Sequence, residues 1–240
     1  MANHKTVIVT GASQGIGAAI VHAFLSRGYN VVATSRRVSQ GRYDPAPNLA
    51  LVDGDIGHPA TADKAIQTAI DSFGSIDHVV NNAGIFSAKP FTDYTVDEFN
   101  AFVSTNLKGF IFITQPAVKR MLSQRNGGSV TTITAALADN PMADTPASLP
   151  MITKGGLNAV TFSLASEYAK YKIRFNAVAP GVVDTPLHKD LKKDMPNSHS
   201  PMGTFSHATD IAEAVIYLTE ADHVTGEVLH VDDGAHVGRW

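Results

Sequence analysis

Three glycines near the start of the chain have the spacing of a phosphate-binding loop. Gly11, Gly15 and Gly17 follow the apolar run at residues 6–10 and open a stretch with helical periodicity. Glycines so placed permit a tight turn, close approach of the backbone to a pyrophosphate and tight packing of a helix on a sheet. The free N–H groups at the helix N-terminus would face the anion. The residues predicted to bind a dinucleotide cofactor here are Gly11, Ser13, Gln14, Gly15, Ile16 and Gly17.

The residues predicted to choose between the two nicotinamide cofactors are Ser35, Arg36 and Arg37. Roughly 20 residues after the glycines, a dinucleotide fold normally places an acid that holds the ribose 2′-hydroxyl. This sequence offers no carboxylate there, and a guanidinium can bind a 2′-phosphate bidentately and can stack on adenine. The pattern favours NADP over NAD. The alternative is that the arginines only end a solvated strand.

Short β-branched runs alternate with amphipathic helical stretches along the chain. The predicted strands are residues 6–10, 29–34, 50–53, 76–81, 128–134, 173–178 and 227–231. The predicted helices are residues 15–27, 62–73, 97–121 as one long helix, 153–171 and 209–218. Such alternation implies a parallel sheet with helices on both faces. The fold class predicted is α/β, a single-domain doubly wound Rossmann fold with a parallel seven-stranded sheet.

Residues 185–206 interrupt this pattern and are rich in Pro, His and Lys. An irregular stretch of this length in a compact domain is often an active-site lid. The sequence therefore predicts a substrate lid at 185–206, the alternative being an ordinary surface loop with a helical turn.

Composition excludes several classes of partner and site. The 240 residues carry a formal net charge of −3, 44% hydrophobic residues and no cysteine. Without a basic block, attraction to nucleic acid or to a membrane surface is not expected. Without cysteine there are no disulfides and no thiolate metal ligands. No stretch approaches the roughly 20 apolar residues that span a bilayer. We expect a cytoplasmic protein with a small-molecule substrate and no metal.

Several motifs, taken in order, resemble those of the short-chain dehydrogenase/reductase family. They are the glycine loop, Asn81-Asn82-Ala83-Gly84 after the fourth strand, Thr105-Asn106, Lys154-Gly155-Gly156, Pro180-Gly181 through Thr185, and Thr225 through Gly234. The resemblance covers nearly the whole chain. It implies further cofactor contacts at Asp55, Ile56, Asn82, Ala83, Gly84, Lys154, Pro180, Gly181, Val183 and Thr185.

The resemblance also implies a catalytic tyrosine and serine that this sequence lacks. In the family, a tyrosine four positions before the lysine transfers the carbonyl proton, and a serine polarises the substrate oxygen. Pro150 stands four positions before Lys154, and no tyrosine occurs between Tyr94 and Tyr168. Ala135 takes the position of the serine. The catalytic residues predicted are therefore Lys154, Asn106 and Thr134, and Pro150 and Met151 are expected to line an apolar pocket.

The proton donor is open at this point. Water ordered by Lys154 and Asn106 is one source. The hydroxyls of Thr134, Ser148 and Thr153 lie near the gap but are weak acids, and Asp139 and Asp144 fit ordinary loop residues better. His188, His199 and His207 lie in or near the predicted lid, and histidine is the side chain most often used to transfer protons at neutral pH. Their spacing matches no metal-ligand pattern.

Two functions compete for this sequence. The first is an NADP-dependent oxidoreductase that reduces or oxidises a carbonyl, imine or enone with an unconventional proton donor. The second is a non-catalytic NADP-binding sensor or partner subunit, because a fold does not fix a function. The resemblance implies a homotetramer or homodimer, with the helices starting near Asp97 and Thr153 at one interface and Trp240 at a second contact.

Overall fold

A parallel seven-stranded sheet forms the centre of the computed structural model, which describes residues 4–40, 43–142, 145–186 and 200–237. Its strands are β1 (Thr6–Thr10), β2 (Asn30–Ser35), β3 (Leu49–Asp53), β4 (His78–Asn81), β5 (Gly128–Ile133), β6 (Ile173–Pro180) and β9 (Val228–Val231). Their order across the sheet is β3-β2-β1-β4-β5-β6-β9. Every strand pairing in this sheet is parallel.

Six α-helices cover the two faces of the sheet within the described residues. They are α1 (Gly15–Ser26), α2 (Pro59–Phe73), α3 (Val96–Phe102), α4 (Gly109–Gln124), α5 (Ser148–Tyr168) and α6 (Ala208–Glu220). One apolar core packs α1 and α6 on one face, and the second packs α2, α4 and α5 on the other. Strands buried on both faces explain the unbroken apolar runs of β1 and β4. The predicted doubly wound α/β fold with seven parallel strands is confirmed.

The long helix predicted over residues 97–121 is wrong in one respect. A π-helical turn, Val103–Lys108, joins α3 to α4, so the helical run is continuous but its register shifts. Such turns are frequent at functional sites, and this one contains Asn106.

The helix predicted to begin at Thr153 begins five residues earlier, at Ser148. Pro150 is tolerated because it lies in the first turn, where its missing N–H has no partner to lose. Lys154 therefore lies in the second turn of α5 and not at its start.

A small two-stranded sheet was not predicted. Strand β7 (Val183–Asp184) pairs in parallel with β8 (Ser206–His207), one strand at each end of the predicted lid. Residues 187–199 of that lid lie outside the described residues.

Candidate functional site

The glycine loop has the geometry that its sequence predicts. Gly11 and Gly15 have φ values of +66° and +55°, which favour glycine. A Cβ at Gly11 would lie 2.8 Å from the Cα of Ala83, and one at Gly17 would collide with the carbonyl oxygen of Gly11. The loop thus permits β1, α1 and the segment after β4 to approach closely.

Helix α1 presents uncapped backbone donors at its N-terminus. Its N-cap residue, Gln14, makes no side-chain capping hydrogen bond. The loop itself is braced, because Asn82 Nδ2 donates to the carbonyl oxygens of Thr10 at 3.0 Å and Gly11 at 3.1 Å. An uncapped helix start held in a rigid turn suits a bound pyrophosphate.

A cavity of about 760 Å³ runs along the carboxyl ends of the strands. It brings together every predicted cofactor-binding residue, together with Lys154 and Thr134. The predicted residues that line it are Gly11, Ser13, Gln14, Gly15, Ile16, Gly17, Ser35, Arg36, Arg37, Asp55, Ile56, Asn82, Ala83, Gly84, Thr134, Lys154, Pro180, Gly181, Val183 and Thr185. Asn106 is not among the lining residues. The individual roles of these residues stay predictions.

Sequence reasoning missed other lining residues. They are Thr34, Gly54, Ile85, Phe86, Thr105, Ile133, Ala136, Leu137, Asn140, Met142, Thr145, Val182, Pro186 and Ala235. Thr34 and Gly54 could have been found, because they follow or end predicted strands at the same sheet edge. Ile133 could have been found for the same reason, since it ends β5. Thr105 lies in the π-helical turn, and the others lie in connections whose course the sequence pattern does not give.

At the end of β2, the cavity holds polar groups in need of a partner. The hydroxyl oxygens of Thr34 and Ser35 are buried and make no hydrogen bond to any residue that the structure describes. Arg36 and Arg37 are exposed along the same wall. Asp53 pairs with Ser35 across β2 and β3, but its carboxylate accepts hydrogen bonds from the hydroxyl and backbone N–H of Ser39. These bonds, with the Ser39 hydroxyl contributing most, lower the pKa of Asp53.

Lys154 is buried on the floor of the opposite end. Its Nζ donates to the carbonyl oxygen of Ile133 at 2.7 Å. Burial lowers the pKa of Lys154 to about 8, because desolvation disfavours the charged amine. A Cβ at Gly84 would lie 3.2 Å from Nζ and 3.4 Å from Asn106 Oδ1. Glycine at this position therefore leaves space directly beside the amine.

Asn106 is fixed by the protein itself. Its Oδ1 accepts from the N–H of Ile85 at 2.9 Å, and its Nδ2 donates to Ile85 O at 3.2 Å and to Thr153 Oγ1 at 3.0 Å. These bonds tie the π-helical turn to the segment after β4 and to α5. Asn106 thus positions Ile85 and Thr153 close to Lys154, and its predicted catalytic role stays a prediction.

Ala135 and Pro150, at which the sequence predicts a departure from the family motif, lie in the same region. Ala135 lines the cavity, whereas the neighbouring Thr134 hydroxyl donates to the carbonyl oxygen of Val178 at 3.3 Å. Pro150 is buried one turn before Lys154, and its carbonyl accepts from Thr153 Oγ1 at 2.8 Å. The expectation that Pro150 and Met151 line the pocket is wrong for the described cavity. The 3₁₀ turn Ala136–Ala138 packs on α5 and lines the cavity in place of Pro150 and Met151.

Two of the other candidate proton donors have structural roles. Asp139 accepts from Asn158 Nδ2 at 3.2 Å and lies 3.0 Å from His230 Nε2. His207 caps α6, and its backbone N–H donates to Asp210 at 2.7 Å. Asp144, His188, His199 and the predicted contact residue Trp240 lie outside the described residues.

Residues 4–40, 43–142, 145–186 and 200–237 contain neither a metal-binding cluster nor a membrane-spanning helix. No group of three or more His, Cys, Asp or Glu residues in these ranges could hold a metal ion. None of the helices in these ranges is both long enough and apolar enough to cross a membrane.

Comparison with known proteins places this site in a family. A family model described as Enoyl-(Acyl carrier protein) reductase matches residues 11–236. The chain is 33% identical over 248 residues to 3beta-hydroxysteroid dehydrogenase 1 of Eggerthella lenta, covering 96% of this chain and 93% of that protein. It is 35% identical over 254 residues to L-rhamnose 1-dehydrogenase (NAD(P)(+)) of Azotobacter vinelandii, covering 97% of each.

A solved structure agrees with these sequence matches. The crystal structure of 3-ketoacyl-(acyl-carrier-protein) reductase from Brucella melitensis complexed with NADH superimposes with a TM-score of 0.91 at 28% identity. The superposition covers 97% of this chain and 98% of that one. Because the matches span nearly the whole chain and include the glycine loop and Lys154, this protein belongs to the short-chain dehydrogenase/reductase family of NAD(P)-dependent oxidoreductases.

Proposed function

We propose that this protein is an NADP-dependent oxidoreductase that transfers a hydride to or from a small carbonyl, imine or enone substrate. The observation that carries the proposal is the position of Lys154. Its buried amine lies on the cavity floor, and it is the only ionisable side chain among the described lining residues outside the β2 and β3 end. A reaction that creates an alkoxide needs a proton source within hydrogen-bond reach.

The residues present fit a nicotinamide dinucleotide. The uncapped start of α1 and the glycine loop would hold the pyrophosphate. Gly181 lines the cavity and packs against Asp232, where a Cβ would meet its Cα at 2.9 Å, so the backbone after β6 is held close to the end of β9. When bound, the nicotinamide supplies or accepts the hydride.

The preference for NADP rests on the β2 end of the cavity. Ser35 offers a buried hydroxyl that has no partner, and Arg36 and Arg37 supply positive charge beside it. Asp53, the acid on β3 that pairs with Ser35 of β2, accepts hydrogen bonds from Ser39. A 2′-phosphate would satisfy the hydroxyl and pair with the guanidinium groups.

The proton is proposed to come from Lys154 and not from a tyrosine. Three N–H donors are available on a protonated lysine, and within the described residues only Ile133 O accepts one of them. A pKa of about 8 keeps the amine largely protonated near neutrality yet makes it a stronger acid than an exposed lysine. Lys154 donates a proton to the developing alkoxide, directly or through one water in the space beside Gly84, and regains it from solvent.

The experiment that tests this function starts with fluorescence titration of NADPH and NADH. NADPH consumption is then followed with ketones, imines and enones. We expect tighter binding of NADPH and slow turnover of at least one carbonyl compound. Binding of NADPH without any turnover across the panel would favour a non-catalytic sensor or partner subunit. Failure to bind either cofactor would contradict the proposed function.

A pair of substitutions tests the unconventional proton source. Pro150→Tyr combined with Ala135→Ser introduces a phenol one helical turn before Lys154 and a hydroxyl on the cavity wall. Because general acid catalysis contributes about 10²–10⁴-fold, the double variant is expected to raise the turnover number by at least about tenfold. Pro150→Phe with Ala135→Ser is the matched control. Because Pro150 does not line the described cavity, a crystal structure of the double variant with bound NADP⁺ checks that the phenol enters it. With the phenol in the cavity, an equal rate in the two variants would contradict the proposed lack of an efficient acid in the natural site.

We also propose that the chain forms a homodimer or homotetramer through α4 and α5. Ile111 on α4 and Phe162 on α5 are 43% and 53% exposed, and large exposed apolar side chains often mark interfaces. Phe162→Lys is expected to lower the mass measured by analytical ultracentrifugation, whereas Met202→Lys, outside these helices, is expected to leave it unchanged. A natural protein that sediments at the mass of one chain would contradict this assembly.

A further inference from the structure

The wall of the cavity beyond β5 is apolar. The loop after β5 contributes Ala135, Ala136, Leu137 and Met142 to the lining. The other apolar lining residues at this end are Ile85, Phe86, Val182, Pro186 and Ala235. These residues come from the connections after β4, β6, β7 and β9, so apolar side chains approach the space above Lys154 from several directions.

The loop over residues 136–142 is anchored on the side away from the cavity. Asp139 does not line the cavity, and its carboxylate is shared by Asn158 of α5, at 3.2 Å, and His230 of β9, at 3.0 Å. His230 in turn stacks on His236, with ring centroids 4.0 Å apart and planes inclined by 18°. His236 Nδ1 lies 3.0 Å from the buried carboxylate of Asp232.

This anchor determines which side chains of the loop face the substrate. Because the carboxylate of Asp139 is held by α5 and β9, the loop cannot turn that charge inward without losing three hydrogen bonds. Leu137 and Met142 remain on the cavity side. The polar side chains of the same wall are Asn140 and Thr145, which are neutral.

We propose that residues 136–142 form a substrate-specificity wall that selects uncharged carbonyl compounds with an apolar carbon skeleton next to the reacting group. The proposal rests on the proposed function and names the substrate class of that same site. The transfer of apolar surface out of water lowers the free energy. A hydroxyl that faces Leu137 and Met142, out of reach of Asn140 and Thr145, would be buried without a partner and would lower affinity about ten- to a hundredfold. A carboxylate would lose more, because its charge would have to be desolvated against Leu137 and Met142.

Three ketones of one ring size test the wall with NADPH as the reductant. They are 4-methylcyclohexanone, 4-hydroxycyclohexanone and 4-oxocyclohexanecarboxylate. We expect kcat/KM to fall by at least about tenfold from the methyl to the hydroxyl compound and by at least about a hundredfold to the carboxylate. Equal or better use of the hydroxyl or carboxylate compound would overturn the wall, while the turnover itself would support the proposed function.

Variants locate the selectivity in the loop. Met142→Gln is expected to reduce the preference for the methyl compound by at least about threefold, through a higher KM. Met202→Gln is the matched control, because Met202 is 70% exposed and does not line the cavity. Asp139→Ala is expected to raise KM for 4-methylcyclohexanone with little change in kcat or NADPH affinity, and Asp139→Asn to restore part of the loss. A fall in kcat or NADPH affinity with unchanged KM would contradict a positioning role for Asp139.

Binding measurements separate the two proposals. Calorimetric titration of each ketone into the protein saturated with NADP⁺ measures selectivity without turnover. If 4-methylcyclohexanone binds selectively, Met142→Gln removes the preference and no ketone is reduced, the wall is supported and the proposed function is wrong. If none of the three ketones binds, the wall is overturned.

Discussion

At the β2 end, the cavity is bounded by backbone groups and by two arginines adjacent in sequence, whereas above Lys154 it is bounded by side chains from β5, α5 and the segments after β4, β6 and β9. The first end is built within the first 56 residues, apart from the brace by Asn82. The second depends on residues as distant in sequence as Asp139 and His230. The β2 end, which is the proposed cofactor end, is therefore set largely by local sequence. The end above Lys154 is the proposed carbonyl end, where we propose that Ala135 and Pro150 replace the serine and tyrosine of the family, and it depends on tertiary packing.

The largest effect is expected from the glycine loop. Gly17→Val places a branched side chain against the carbonyl oxygen of Gly11 and the amide of Asn82. Affinity for NADPH should fall by more than about a hundredfold, with a lower melting temperature, because backbone must move to relieve the clash. Gly156→Ala is the control, since its Cβ meets nothing within 4 Å. Its melting temperature should rise slightly, because alanine favours a helix over glycine by about 1 kcal/mol. Unchanged NADPH affinity in Gly17→Val would contradict the assignment of the glycine loop to the cofactor end.

The next largest effect is expected at the carbonyl end. Lys154→Met removes the proposed proton donor and should lower the turnover number by about 10²–10⁴-fold. The variant should fold, because an apolar side chain of similar length replaces a buried amine. Single-turnover oxidation of bound NADPH measures the effect, and thermal melting checks the fold. An unchanged rate would remove Lys154 from the chemistry and leave the comparison between the two ends without its main support.

A smaller, selective effect is expected at the end of β2. Arg36→Ala with Arg37→Ala should weaken NADPH binding about 10- to 100-fold, since hydrogen bonds to a charged group contribute about 1.5–3 kcal/mol. NADH binding should change little, because NADH carries no 2′-phosphate. Equal losses for the two cofactors in parallel titrations would contradict the assignment of these arginines.

The smallest predicted effect is the pH dependence of the reaction at Lys154. Reduction needs the protonated form of Lys154, whose pKa burial lowers to about 8. The reduction rate should therefore fall about tenfold between pH 7 and pH 9, and the reverse oxidation should rise over the same range. Lys154→Arg provides the control, because an arginine stays protonated across this range. A natural protein and an arginine variant with the same pH profile would exclude Lys154 as the titrating group.

Much of the fold and the cofactor end could be predicted because their determinants are local. Period-two and buried apolar runs mark the strands, and glycines with required conformations mark the β1–α1 turn. Predicted element boundaries differ by a few residues at most ends, and by five at the start of α5, because Pro150 is acceptable in a first turn.

The carbonyl end was predicted in part. The sequence alone predicted that Lys154 lies in the site and that β1 leads into a phosphate-binding turn. It also predicted that Pro150 and Ala135 take the positions of the family's tyrosine and serine, which stays a prediction. Only the tertiary structure decided that Asn106 is engaged by Ile85 and Thr153, that Pro150 is buried and does not line the described cavity, and that Asp139 is held by α5 and β9. The physical reason is that hydrogen bonds between distant segments depend on how the connections pack, which sequence periodicity does not encode.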